Sequence, residues 1–186
     1  MTPLFVATEK FGPLDGERWQ RYCAWAKIPG LTEVVSLDCL LCPRIISEIG
    51  EEDWGHIVCE DFRLNYFHHL DFLLKRIATV PRRNGLGVYR NPDTQIDTRP
   101  AVGDFDFMGY DLIEEQTQIS ALVNCGGFPD AFSNNELNQF GLIAGFERAC
   151  EIQRRLAELH PEEPHAQCER YALWRLNELK TGGSAC

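Results

Sequence analysis

The chain predicts a single α+β domain over residues 1–180, a mostly antiparallel sheet with two longer helices packed on it, and a flexible tail at 181–186. Three observations carry that expectation. Helical and strand patterns are mixed without the regular alternation of a parallel sheet. A length of 186 residues with 44% apolar content suits one core and is short for two. No internal repeat and no inter-domain linker interrupts the chain.

The elements follow in order. Glu17 to Ile28 carries Trp19, Tyr22, Cys23 and Ala26 at helical spacing, and Pro29-Gly30 stops it. Thr32 to Leu40 is β-branched and apolar, which predicts a largely buried strand. Pro43 opens a short helix through Ile49, because proline suits a first helical turn. From Asp61 to Ile77, residues Phe62, Tyr66, Phe67, Leu70, Leu73, Leu74 and Ile77 make the first long amphipathic helix, which Pro81 closes. Gly85 to Arg90 is a short strand, and Asn91 to Gly103 is the longest loop. Phe105–Ile113 and Ile119–Asn124 form a hairpin connected through 114–117, with a Gly-rich loop after it. Phe146 to Leu159 is the second long helix, ended by His160-Pro161, and Cys168 to Leu176 reads as a strand.

Charge narrows the partners. Formal net charge is −10, and between Arg99 and Arg148 there is no Lys or Arg beside eight carboxylates. Such a field attracts basic partners and repels nucleic acid and anionic membranes. Lys75, Arg76, Arg82, Arg83, Arg90 and Arg99 form a basic counterweight, which reads as intramolecular pairing with acids. The N-terminus does not read as a signal peptide and no run reaches the length of a membrane span, so the expected location is the cytoplasm. In that compartment the eight cysteines are expected as free thiols.

Several constellations invite a chemical reading. Cys39-x2-Cys42 followed by His56-x2-Cys59 has the spacing of a zinc site, but its first pair ends an apolar run without glycine. The same Cys39 and Cys42 before Pro43 suggest a redox thiol, without the surrounding βαβ unit that such thiols occupy. Asn124-Cys125-Gly126-Gly127 offers a nucleophile on a turn with no histidine nearby in sequence. His68 and His69 project to different helix faces. No phosphate-binding loop, dinucleotide fingerprint or hydrolase elbow is present. The sequence thus favours a non-enzyme without cofactor or metal, with a zinc- or thiol-dependent enzyme using Cys39, Cys42, His56 and Cys59 as the alternative.

Three stretches carry a resemblance. They are Ser36-Leu37-Asp38-Cys39-Leu40-Leu41-Cys42-Pro43; Gly109-Tyr110-Asp111-Leu112-Ile113 through Asn124-Cys125-Gly126-Gly127-Phe128-Pro129; and His160-Pro161-Glu162-Glu163-Pro164-His165-Ala166-Gln167-Cys168. In style the chain resembles small acidic bacterial immunity proteins, which protect a cell from a toxin. That resemblance implies an acidic binding module docking on a basic, toxin-like protein. The acidic segment supplies the expected contacts: Asp104, Asp106, Asp111, Glu114 and Glu115, with Tyr110 and Phe128 as aromatic anchors.

Overall fold

A computed structural model describes residues 2–38, 57–58, 66–78, 82–97, 99–114, 118–124 and 128–177. Six strands form one sheet: β1 (Leu4–Glu9), β2 (Ile57–Val58), β3 (Tyr66–Phe67), β4 (Arg83–Arg90), β5 (Phe105–Glu114) and β6 (Cys168–Leu176). Their spatial order is β2-β3-β1-β4-β6-β5, and every pairing is antiparallel. Helices α1 (Glu17–Ala26), α2 (Leu70–Ile77) and α3 (Phe146–Leu159) complete the α+β fold.

Period-2 patterning gives the sheet two apolar faces. Phe5, Ala7, Tyr89, Ala172 and Trp174 join one core with Leu70 and Leu73 of α2 and with Phe146, Ala149, Ile152 and Leu156 of α3. The α3 residues recur at helical spacing, and burying each large one stabilises by about 1.5–3 kcal/mol. Val6, Leu86, Val88, Tyr171 and Leu173 face the other way, against Val35, Leu37 and Leu142. A register shift between Phe107 and Gly109 makes Met108 an extra residue in β5. The bulge reverses the alternation, so Phe107 and Tyr110 lie on the same face with ring centroids 5.3 Å apart. Gly109 sits at φ 138°, where a Cβ would meet Leu142 Cβ at 2.8 Å and Ile143 O at 2.9 Å.

Strands β4, β5 and β6 and helix α3 lie where the residue pattern predicts them, and α1 ends at Ala26 with Lys27 left-handed beyond it. Three expectations change. Residues 32–38 are buried from Val34 onward but make only a bridge to Phe11, because their amides bond loop carbonyls such as Phe140 O rather than a strand. The helix expected over 61–77 begins at Leu70; Tyr66 and Phe67 instead form β3, with Phe67 opposite Phe5. Their apolar spacing fits a helix, yet sheet edge β1 offers them deeper burial. The hairpin partner of β5 is absent: Ser120–Asn124 is a turn holding one bridge, Ile113 to Ser120, and β5 pairs with β6 instead. The short helix at 43–49 and the tail 181–186 fall outside the described residues.

Four residues of the basic counterweight are paired within the chain. Arg82 meets Asp15 at 2.7 Å, Arg83 meets Glu9 at 3.1 Å, Arg90 meets Glu169 at 2.6 Å and Arg99 meets Asp104 at 2.9 Å.

Candidate functional site: a buried carboxylate network beneath an aromatic pocket

Asp111 lies on β5 between Tyr110 and Leu112 and is fully buried. Four donors converge on it. Ser36 Oγ (2.6 Å) and Leu37 N (3.0 Å) donate to one oxygen; Ser120 Oγ (2.7 Å) and Leu112 N (2.9 Å) donate to the other. Asp38, 1% exposed, accepts Ser120 N at 2.8 Å and Asn124 Nδ2 at 2.8 Å through one oxygen. Its own amide donates to Ser36 Oγ at 3.0 Å. Ser36 and Ser120 thus connect the two carboxylates and tie three segments together: the extended stretch 32–38, β5 and the turn 120–124. Burial is the main reason the Asp111 carboxyl is pushed above its ordinary value, and the negative charge of Asp38 adds to the rise.

Asp38 and Asn124 also line a pocket of about 340 Å³. Its other walls are Phe11, Val123 and three residues of α1: Arg18, Tyr22 and Trp25. Helical spacing puts residues 18, 22 and 25 on one face. Phe11 and Tyr22 pack edge to face at 5.3 Å, and Tyr22 lies 5.8 Å from Trp25. The Tyr22 hydroxyl donates to Val123 O at 2.7 Å, anchoring α1 to the 120–124 turn. Burial, then the charge of Asp38, raises the Tyr22 phenol well above its ordinary value, and Asp111 contributes in the same direction. The negative field of the network therefore reaches the pocket wall. Arg18 stacks its guanidinium 4.8 Å over the Phe11 ring, and Trp25 remains 50% exposed at the edge.

The residues expected to dock a partner do not form one surface. Tyr110, Asp111 and Glu114 are buried, at 1%, 0% and 2% exposure, which withdraws them from docking. The expectation failed there because β5 is covered on both faces from Met108 onward, by α3 on one side and by Val35, Leu37 and Leu142 on the other. Asp104 precedes β5 and pairs with Arg99, while Asp106 is exposed on β5 opposite Arg175. Phe128 is half-buried between the rings of His160 and His165, each 5.0 Å away. Glu115 lies outside the described residues, as do Cys39, Cys42, His56, Cys59 and Cys125. Among the described residues, no group of three or more His, Cys, Asp or Glu is placed to hold a metal. Cys23, Cys150 and Cys168 carry thiols rather than disulfides. Among the described residues no helix is long and apolar enough to cross a membrane.

Sequence reasoning missed Asp38, Tyr22 and Trp25 as site residues. The available signal was an acid inside an apolar run, at Ser36-Leu37-Asp38 and again at Tyr110-Asp111-Leu112. Comparison with known proteins finds no matching family model, no matching curated protein and no matching solved structure.

Proposed function

We propose that the chain is an acidic protein-binding module of the immunity type, which holds a basic, toxin-like partner in the cytoplasm. Its anchor point is the Phe11–Tyr22–Trp25 pocket, which receives a Lys or Arg side chain of that partner. The observation that carries this reading is a buried carboxylate, Asp38, lining a pocket with three aromatic side chains. A cation over aromatic faces gains about 0.5–2 kcal/mol, more as water is excluded. Arg18 on Phe11 already displays that contact inside the pocket. The net charge of −10 adds long-range steering of a basic partner.

The test is capture of the partner from the source organism, followed by binding kinetics with two variants. Trp25→Ala removes a half-exposed wall and should weaken binding by about tenfold, the scale of an aromatic anchor. Arg18→Ala removes the competing cation and should tighten it. Weaker binding of Arg18→Ala would mean that the pocket takes an anion and would sink the proposal.

A further inference from the structure

Asp111 is a fully buried carboxyl whose hydrogen-bond partners are all neutral: two serine hydroxyls and two backbone amides. An acid removed from water without a counter-ion leans toward its neutral form. The group connected to it is a second acid. Ser36 Oγ bonds Asp111 and receives the Asp38 amide; Ser120 Oγ bonds Asp111 while the Ser120 amide donates to the Asp38 carboxylate. Like charges one serine apart oppose each other, so the two carboxyls titrate as a pair.

The other ionisable groups on the surrounding elements are neutral or engaged elsewhere. From α1 come Tyr22, a phenol that burial keeps neutral, and Arg18, which stacks on Phe11. On β6 the residue in register with Asp111 is Tyr171, also kept neutral by burial; its hydroxyl bonds Glu169, which pairs with Arg90. Glu33, in the extended stretch, pairs with Arg175. The turn 118–124 carries no ionisable side chain.

Asp38 lines the aromatic pocket, and Asp111 does not. A cation seated in that pocket therefore lies beside one member of the pair and favours the pair's ionised form. We infer that a cation entering the Asp38 pocket drives a proton out of the Asp38–Asp111 pair, so that binding is coupled to ionisation of the buried network. The inference rests on the reading that this pocket takes a cation. While the pair holds the proton, the Asp111 carboxyl O–H donates to a serine Oγ. On release that O–H bond breaks, the proton passes to a base in the solvent, and the serine hydroxyl turns to donate to the carboxylate. By linkage, the partner is held more tightly as pH rises and is let go as pH falls.

The experiment is calorimetric titration of the full chain with Nα-acetyl-arginine amide, between about pH 5 and about pH 8, in buffers of different ionisation enthalpy. The probe's own charge is constant over that range. The observed enthalpy should depend on the buffer in the sense of proton release, and affinity should fall on acidification, by at most about tenfold per pH unit for one proton. Asp111→Asn should bind the probe with most of that release lost. Carbon NMR of the wild-type aspartate carboxyls gives a second reading that needs no variant: the probe should lower the pH at which the pair titrates. Probe binding with no proton release, or release undiminished in Asp111→Asn, or carboxyl titration unmoved by the probe, would overturn the coupling and leave the cation reading standing. No binding of the probe at any pH would overturn both.

Discussion

Replacing Asp111 with Asn probes the network that holds the pocket. Each Asp111 oxygen accepts one backbone N–H: Leu37 N on one, Leu112 N on the other. An amide has a single oxygen, so either orientation turns its NH2 group toward one of those N–H donors. The serine hydroxyls can rotate to accept; the backbone cannot. One buried N–H is stranded, at a cost of about 1–3 kcal/mol. The ionisation of Asp111 adds a pH signature. Its proton is held more tightly in the folded than in the unfolded chain. Its contribution to stability therefore grows as pH falls through the raised native value, and is complete below the ordinary value of 3.8. Asn cannot titrate, so the gap between wild type and Asp111→Asn should widen from neutral pH toward about pH 4, the ordinary carboxylate range. Equilibrium urea unfolding at several pH values measures both effects, provided the slope with denaturant is unchanged. A variant as stable as wild type at neutral pH, or a gap that narrows on acidification, would refute the reasoning.

Four further outcomes follow from the same structure. Ile152→Ala opens a cavity in a fully buried part of α3 and should cost about 2–5 kcal/mol by chemical denaturation. Gly109→Ala should destabilise the fold, because φ 138° and the contacts with Leu142 and Ile143 both oppose a Cβ; an unchanged melting temperature would remove the bulge argument. Tyr22→Phe strands the Val123 carbonyl and should cost about 0.5–1.5 kcal/mol, read from the unfolding midpoint. The Arg148 guanidinium holds the Glu136 carboxyl below its ordinary value, so that pair's stabilisation is present above the ordinary value of 4.5 and is lost as pH falls through the lowered one. Titrating Glu136 by NMR checks the direction.

Elements whose burial pattern matched their own backbone period were legible in the sequence. Helix α3 keeps one apolar face over Phe146, Ala149, Ile152 and Leu156, and β6 alternates between two cores, so local pattern and tertiary packing agree. Tyr66 and Phe67 were not legible as a strand, because a helix face and a buried sheet edge both want aromatic residues there. Residues 34–38 show the same limit: a buried extended segment and a strand share a composition, and only the ladder distinguishes them. The docking surface was misjudged for an electrostatic reason. The acidic run is expected to present its carboxylates to a partner, whereas Asp111 is sequestered by four donors drawn from positions 36, 37, 112 and 120. Sequence spacing shows no sign of that convergence. The Met108 bulge was equally hidden, and it decides that Tyr110 faces α3 while Asp111 faces Ser36.

The most direct test of the central claim asks whether the Asp38 pocket prefers a cation. NMR titration can follow the Trp25 indole resonance while Nα-acetyl-arginine amide or its citrulline counterpart is added, the two differing in charge at nearly equal shape. The account predicts a saturating shift with the arginine probe, a much weaker one with citrulline, and a stronger arginine response in Arg18→Ala. Equal shifts with both probes, or none at Trp25 with either, would contradict it.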